Sequence, residues 1–308
     1  MTSMEFLKNT LNRIFTQYLE AKNSCLEKSC EEEQLSRFIS RLFFEAKLLQ
    51  VRDYNKIWEK GAFMTEDSAY AALEEGLISR DDYEILKSLE GENPKLVSPF
   101  FFAGGFLTSI QDINDILSYQ AASKIIDHVK TSKETDKYSF IIRCLDSQDF
   151  GYRIRNYCRS QLRDTPYKFF SPSPYVKDNG RKIVSASPEN TGKGIPGLPE
   201  PECTSTIFVV SNEINFGEEI SNTIKTLRNF GYENTDIVAV CLIYHGNPVG
   251  EERLKRNKVK RVLSLAGREI FDKGVEENLI GKSQREIVYD FLKDPSEFIR
   301  RISPALKK

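Results

Sequence analysis

The chain has 308 residues and carries 44 Lys and Arg against 45 Asp and Glu, a net charge of −1. That length allows one large domain, or a domain of about 200 residues with an appendage. Near-neutrality removes the electrostatic argument for nucleic acid or an anionic membrane as a partner. No run approaches the ~18 apolar residues of a membrane span. Met1–Glu5 lacks a basic region followed by an apolar one, so no membrane association and a cytoplasmic location are expected.

The first ninety residues read as helices. Phe6, Leu7, Leu11, Ile14, Phe15 and Tyr18 form one apolar stripe, and Leu35, Phe38, Ile39, Leu42, Phe43, Ala46 and Leu49 form another. Two shorter helices are predicted next, near Asp67–Glu75 and from Ser79 to about Gly91. These faces suit packing on each other and on a main domain; a partner-binding helical module is the alternative. The expected division is a helical extension over 1–92 and an α/β domain over 93–308.

At Ser98–Phe106 three consecutive phenylalanines precede Gly104 and Gly105, which reads as a strand or hood segment and a poor helix. Phe101 and Phe102 are candidate ligand contacts there, since an aromatic face beside a cleft can stack a planar ring. A helix over Ile110–Lys130, a strand at Tyr138–Arg143, a helix opening at Gly151 and a strand at Tyr167–Phe170 follow, an alternation that predicts a parallel sheet. Residues 171–205 interleave Pro172, Pro174, Pro188, Pro196, Pro199 and Pro201 with glycines and with Lys177, Arg181, Lys182 and Lys193. Connections this long are usually lids, binding loops or disorder. A mobile basic loop over an anionic ligand and a plain insertion are both open.

The central element is Thr206–Ile220, where a buried strand meets a polar turn and then Ile220, Ile224, Leu227 and Phe230 recur at helical spacing. In open α/β sheets ligands bind at such turns, and helix amino ends favour anions. Glu218 and Glu219 oppose a phosphate here, because they put two carboxylates in the helix's first turn. Asp236–Tyr244 and Arg261–Leu265 read as further strands, and Arg285–Leu292 and Pro295–Arg300 as closing helices. Cys25, Cys30, Cys144, Cys158, Cys203 and Cys241 form no Cys-x-x-Cys pair and read as buried or idle thiols. His128 and His245 alone leave little material for a histidine-rich zinc site or a nucleophile–histidine arrangement, so no metal ligand is expected.

From about Lys95 to Leu292 the chain resembles the type I phosphoribosyltransferases, most closely their orotate phosphoribosyltransferase branch. Ser98–Phe106 is similar to that family's Ser-Pro-Tyr-Phe-Phe-Asn-Ala-Gly hood segment, and Ile141–Ile154 to its strand and pyrophosphate loop. Lys177-Asp178-Asn179-Gly180 is similar to the Lys-Asp-His-Gly of the mobile catalytic loop. Val209–Ile220 occupies the place of the phosphoribosyl-diphosphate signature Val-Glu-Asp-Val-Ile-Thr-Thr-Gly, and Lys260–Leu265 that of a strand near the family's end.

The resemblance implies a type I phosphoribosyltransferase-like parallel sheet flanked by helices, with a small hood and the helical N-terminal extension. It makes Lys177 the catalytic candidate. As ligand-binding candidates it marks Lys95, Phe101, Phe102, Asp146 and the run Ser211, Asn212, Glu213, Asn215, Phe216, Gly217, Glu218 and Glu219. It also implies a nucleotide or base ligand, a homodimer and, if catalysis is retained, Mg2+. The departures point the other way. Ser211 and Asn212 stand where the family has its acidic pair, and Asn215 and Phe216 where it has two threonines. The expectation is a fold kept and a donor site lost, giving a non-catalytic or regulatory binding protein. Two alternatives remain, an active phosphoribosyltransferase in which Glu213, Asp146 or Asp149 takes over ribose binding, and an assembly protein working through its N-terminal helices.

Overall fold

The computed structural model describes residues 3–25, 28–52, 64–68, 73, 79–81, 83–84, 87, 95–132, 135–144, 147–169 and 198–306. The chain divides into two units, one made of Met1–Ala103, His245–Val249 and Ala266–Lys308, the other of Gly104–Tyr244 and Gly250–Leu265. The first unit is thus assembled from both ends of the chain, where the sequence suggests a single cut near residue 92.

The second unit is built on a mixed α/β layer. Strands β5 (Tyr138–Arg143), β6 (Lys168–Phe169), β7 (Thr204–Val210), β8 (Glu213–Ile214), β9 (Asp236–Tyr244) and β10 (Val259–Gly267) form one sheet in the order β10-β9-β7-β5-β6, with β8 added beside β9. The pairings of β5 with β6 and β7, and of β9 with β7 and β8, are parallel. β7 is buried at all seven positions. That is the behaviour of a strand covered on both faces, and its unbroken Thr-Ile-Phe-Val-Val run fits it. Around it α4 (Gln111–Ser132), α5 (Gln148–Leu162), α6 (Glu218–Asn229) and most of α7 (Pro248–Arg256) supply the flanking layers, and a short α3 (Gly104–Ser109) precedes α4. Ile220, Ile224 and Leu227 of α6 join Phe140, Ile142, Ile207, Val209, Ile237 and Ala239 in one buried cluster. Gly104 and Gly105 open a helix rather than interrupting one. Thr108 Oγ1 donates to the Gly105 carbonyl, and the next turn is tied down when Asn114 Nδ2 donates to Thr108 O.

In the first unit α1 (Ser3–Asn23) and α2 (Lys28–Glu45) pack together, their facing rings Tyr18 and Phe38 lying 4.4 Å apart at the centroids. Three expectations are corrected there. Leu49 does not continue the α2 stripe: Lys47 takes φ 57°, the helix stops, and Leu49–Val51 becomes β1, antiparallel to β4 (Phe100–Phe102). Asp67 and Ser68 belong to β2 (Met64–Ser68), paired with β3 (Lys95–Val97), and not to a helix. That partner lies some thirty residues away, and such tertiary pairing overrides local propensity. Cys25 and Cys30 are bonded to each other across the α1–α2 connection, with Cα atoms 5.6 Å apart, so these two thiols are not idle. The unit closes with α8 (Ile270–Glu276), α9 (Lys282–Lys293) and α10 (Pro295–Leu306). Here Phe100, His245, Phe271 and Phe291 share a ring cluster. Among the described residues no helix is long and apolar enough to cross a membrane.

Candidate functional site

The turn after β7 is built from the sheet outward. Val210 ends the strand, and its carbonyl accepts from Cys144 N at 2.8 Å and Ser147 Oγ at 2.7 Å, which ties the loop after β5 to it. Ser211 N donates to Val240 O, and Asn212 O accepts from Leu242 N. Ser211 Oγ donates to Glu213 O at 3.0 Å. Both Ser211 and Asn212 are 2 % exposed, so the side chains at the positions where the resemblance expects an acidic pair are buried. Glu213 and Ile214 then pair with Ile243 and Tyr244 as β8, and a polar turn becomes a short extra strand.

Beyond β8 the backbone is packed from below. Phe216 is 3 % exposed, where the resemblance expects a hydroxyl facing the ligand. Arg253 of α7, 1 % exposed, donates from Nη1 to Phe216 O at 3.0 Å. Gly250 of the same helix lies so close that a Cβ there would stand 2.1 Å from Asn215 O. Gly217 caps α6 with φ 72°, a left-handed conformation that glycine adopts without steric cost. Asn257 Nδ2 donates to Ser221 Oγ at 2.8 Å and fixes α6 to the end of α7.

At the amino end of α6 the first turn carries Glu218 and Glu219, both half-buried. A carboxylate at a helix amino end is worth about 0.3–1 kcal/mol to the helix. These two therefore satisfy the dipole that a phosphate would otherwise meet. Tyr244, at the carboxyl end of β9, has its phenol pushed up by burial and by the nearby Glu251 carboxylate, and stays neutral and protonated.

The remaining candidates are distributed differently. Phe102 is buried and Phe101 is 48 % exposed, the alternation expected of β4. Lys177 and Asp146 lie outside the described residues, as does most of 171–205, and of Lys95 only its place in β3 is described. Asp149 lies exposed in the first turn of α5. Arg143 is half-buried, its pKa lowered first by burial and then by Arg155; its stem passes over Gly151, where a Cβ would meet it at 2.5 Å. Among the described residues no group of three or more His, Cys, Asp and Glu is placed to hold a metal ion. Sequence reasoning missed Gly250 and Arg253. An arginine turned into the interior of a short, charged helix leaves no apolar period to find.

No family model and no curated protein matches this chain. Solved structures do. The chain is similar to orotate phosphoribosyltransferase of Francisella tularensis, with a TM-score of 0.44 and 12 % identity over 82 % of this chain and 95 % of that one. It is similar also to adenine phosphoribosyltransferase of Trypanosoma brucei, with a TM-score of 0.35 and 12 % identity over 61 % of this chain and 74 % of that one.

Proposed function

We propose that this protein uses a phosphoribosyltransferase-like fold without the phosphoribosyl-transfer reaction, as a non-catalytic ligand- or partner-binding protein. The observation that carries this reading is the closed turn between β7 and α6. Transfer through an oxocarbenium-like centre needs the donor's diphosphate and ribose held in register, because positioning and charge neutralisation supply most of the rate. The strand end that would do this has Ser211 and Asn212 buried, Phe216 turned inward, and Asn215 seated on Gly250. Two carboxylates then face any phosphate at the helix start. Like charges within ~4–6 Å in a partly desolvated site cost several kcal/mol, enough to remove millimolar affinity. Magnesium fits the site no better, since Ser211 and Asn212, not an acidic pair, stand at the strand end where a donor's metal-bound ribose would be received.

The test is calorimetric titration of the full chain with phosphoribosyl diphosphate and Mg2+, alongside orotidine monophosphate. No heat of binding up to millimolar donor is the expected result. Micromolar binding would overturn the reading and make the orotate-type transferase the one to assay.

A further inference from the structure

The first unit contains a cavity of about 550 Å3 lined by α1, α2, α8 and the turn after α8, well separated in sequence from the β7–α6 turn. Its apolar wall is the tilted ring pair Tyr18 and Phe38, both buried. Its polar wall is ionic, and the pairing on it is uneven. Arg13 and Arg41 both bond Glu45, the latter from Nε at 2.5 Å. Arg37 pairs with Glu33 at 2.7 Å and Lys273 with Glu276 at 2.9 Å. Every cation on this wall therefore has a carboxylate within hydrogen-bonding distance.

Glu277 is the exception. The residue lines the cavity, and among the described residues it makes no ion pair; its Oε1 is enclosed with no hydrogen-bond partner. It sits where α8 ends, with its own N–H bonded to Lys273 O, and the backbone carbonyls of a helix end add negative potential. Burial pushes this carboxyl up, and Arg37, Arg41 and Lys273 pull it down from longer range without cancelling that effect. A carboxylate without a direct ion pair, a helix carboxyl end and two aromatic residues lining one space form the recognition chemistry of a cation with an apolar body.

We propose that this cavity binds a small organic cation, a primary ammonium on an aromatic or aliphatic body, with Glu277 as its counter-ion and Tyr18 and Phe38 as its apolar wall. An anion is disfavoured because it would have to displace a carboxylate from each cation it approached.

The probe is 2-phenylethylammonium, titrated by calorimetry into the full chain, with the neutral 2-phenylethanol as its isostere. Fragment-sized ligands in such a site bind with Kd of about 0.1–1 mM. The ammonium is expected to bind and the alcohol to bind about tenfold more weakly or not at all, since a charge-assisted hydrogen bond is what separates them. Glu277→Gln keeps the shape and should remove that tenfold preference. Ala21→Trp, which fills the space from α1, should abolish binding of both probes while the chain stays folded by circular dichroism. Equal affinity for the two probes, an unchanged preference in Glu277→Gln, or no binding by the wild type would each overturn the proposal.

Discussion

The β7–α6 turn and the α1–α2–α8 cavity both carry carboxylates, yet they differ in what surrounds the charge. At the turn the backbone is seated on Gly250 and Arg253, and Glu218 and Glu219 answer a helix dipole. In the cavity there is room, and among the described residues Glu277 makes no ion pair and its Oε1 no hydrogen bond, with Arg37, Arg41 and Lys273 acting on it from longer range. The lesson is that a place at the carboxyl end of a sheet does not by itself make a site. Space and an unmatched charge do, and those are properties of packing rather than of motif.

The largest effect should come from forcing the closed turn open. Gly250→Ala puts a methyl 2.1 Å from Asn215 O, a backbone atom that a rotamer change cannot move. Overpacking of this kind costs about 3 kcal/mol, or roughly 6–12 °C in melting temperature for a chain of this size. Gly105→Ala in the same unit is the control, because nothing lies within 4 Å of its added Cβ and a helical alanine gains about 0.5–1 kcal/mol. Calorimetry of the two variants should show opposite signs. A Gly250→Ala protein that melts with the wild type would mean the turn is loose, and the contrast with the cavity would fail.

How much of this was legible in the sequence follows the same division. The strands Tyr138–Arg143 and Asp236–Tyr244 were readable to the residue, because a strand buried on both faces is written as an unbroken apolar run. Substitution of Ser211, Asn212, Asn215 and Phe216 for the resembled motif was readable too. The reason the turn is shut was not, since Gly250 and Arg253 act from more than thirty residues away. Nor was the cavity. Glu45 and Glu276 stand four and three residues beyond Arg41 and Lys273, a helical spacing the sequence shows, but Glu277 stands four beyond Lys273 as well, and only the fold decides that it is left without an ion pair. β1 and β2 were missed for a related reason, as each is defined by a strand contributed from further along the chain.

A smaller effect should come from loosening the cavity's frame. The Cys25–Cys30 bond closes the connection between its two longest helices. Without reductant, alkylation of the unfolded chain should label the four free cysteines, Cys144, Cys158, Cys203 and Cys241, and leave two unlabelled. Cys25→Ser should cost about 2 kcal/mol by the loop-closure estimate for so short a loop. Labelling of all six would remove this frame, and with it one reason for the cavity to hold its shape.

The smallest effect sharpens the contrast between a matched and an unmatched carboxylate within one unit. Asp272 of α8 accepts from Tyr289 Oη at 2.6 Å and from Arg285 Nε at 2.5 Å, so it has what Glu277 lacks. Burial pushes the Asp272 carboxyl up, but those two hydrogen bonds outweigh it and hold it below its usual range. Burial, and then the bond to Asp272, raise the Tyr289 phenol to about 12. The signs follow from linkage. A depressed carboxyl contributes stability above its unfolded pKa of about 4, which is lost as pH falls through the folded value. A raised phenol contributes below its unfolded pKa of about 10, which is lost as pH climbs through 12. Because Asp272 is partly exposed, solvent screening leaves roughly 0.5–1 kcal/mol for the bond. Urea unfolding of the wild type and of Tyr289→Phe should therefore differ by that amount at pH 7, and the difference should shrink at pH 3 and again above pH 11. A gap that stays constant from pH 3 to pH 11 would mean the phenol acts by packing alone, and that a matched carboxylate is worth no more here than an unmatched one.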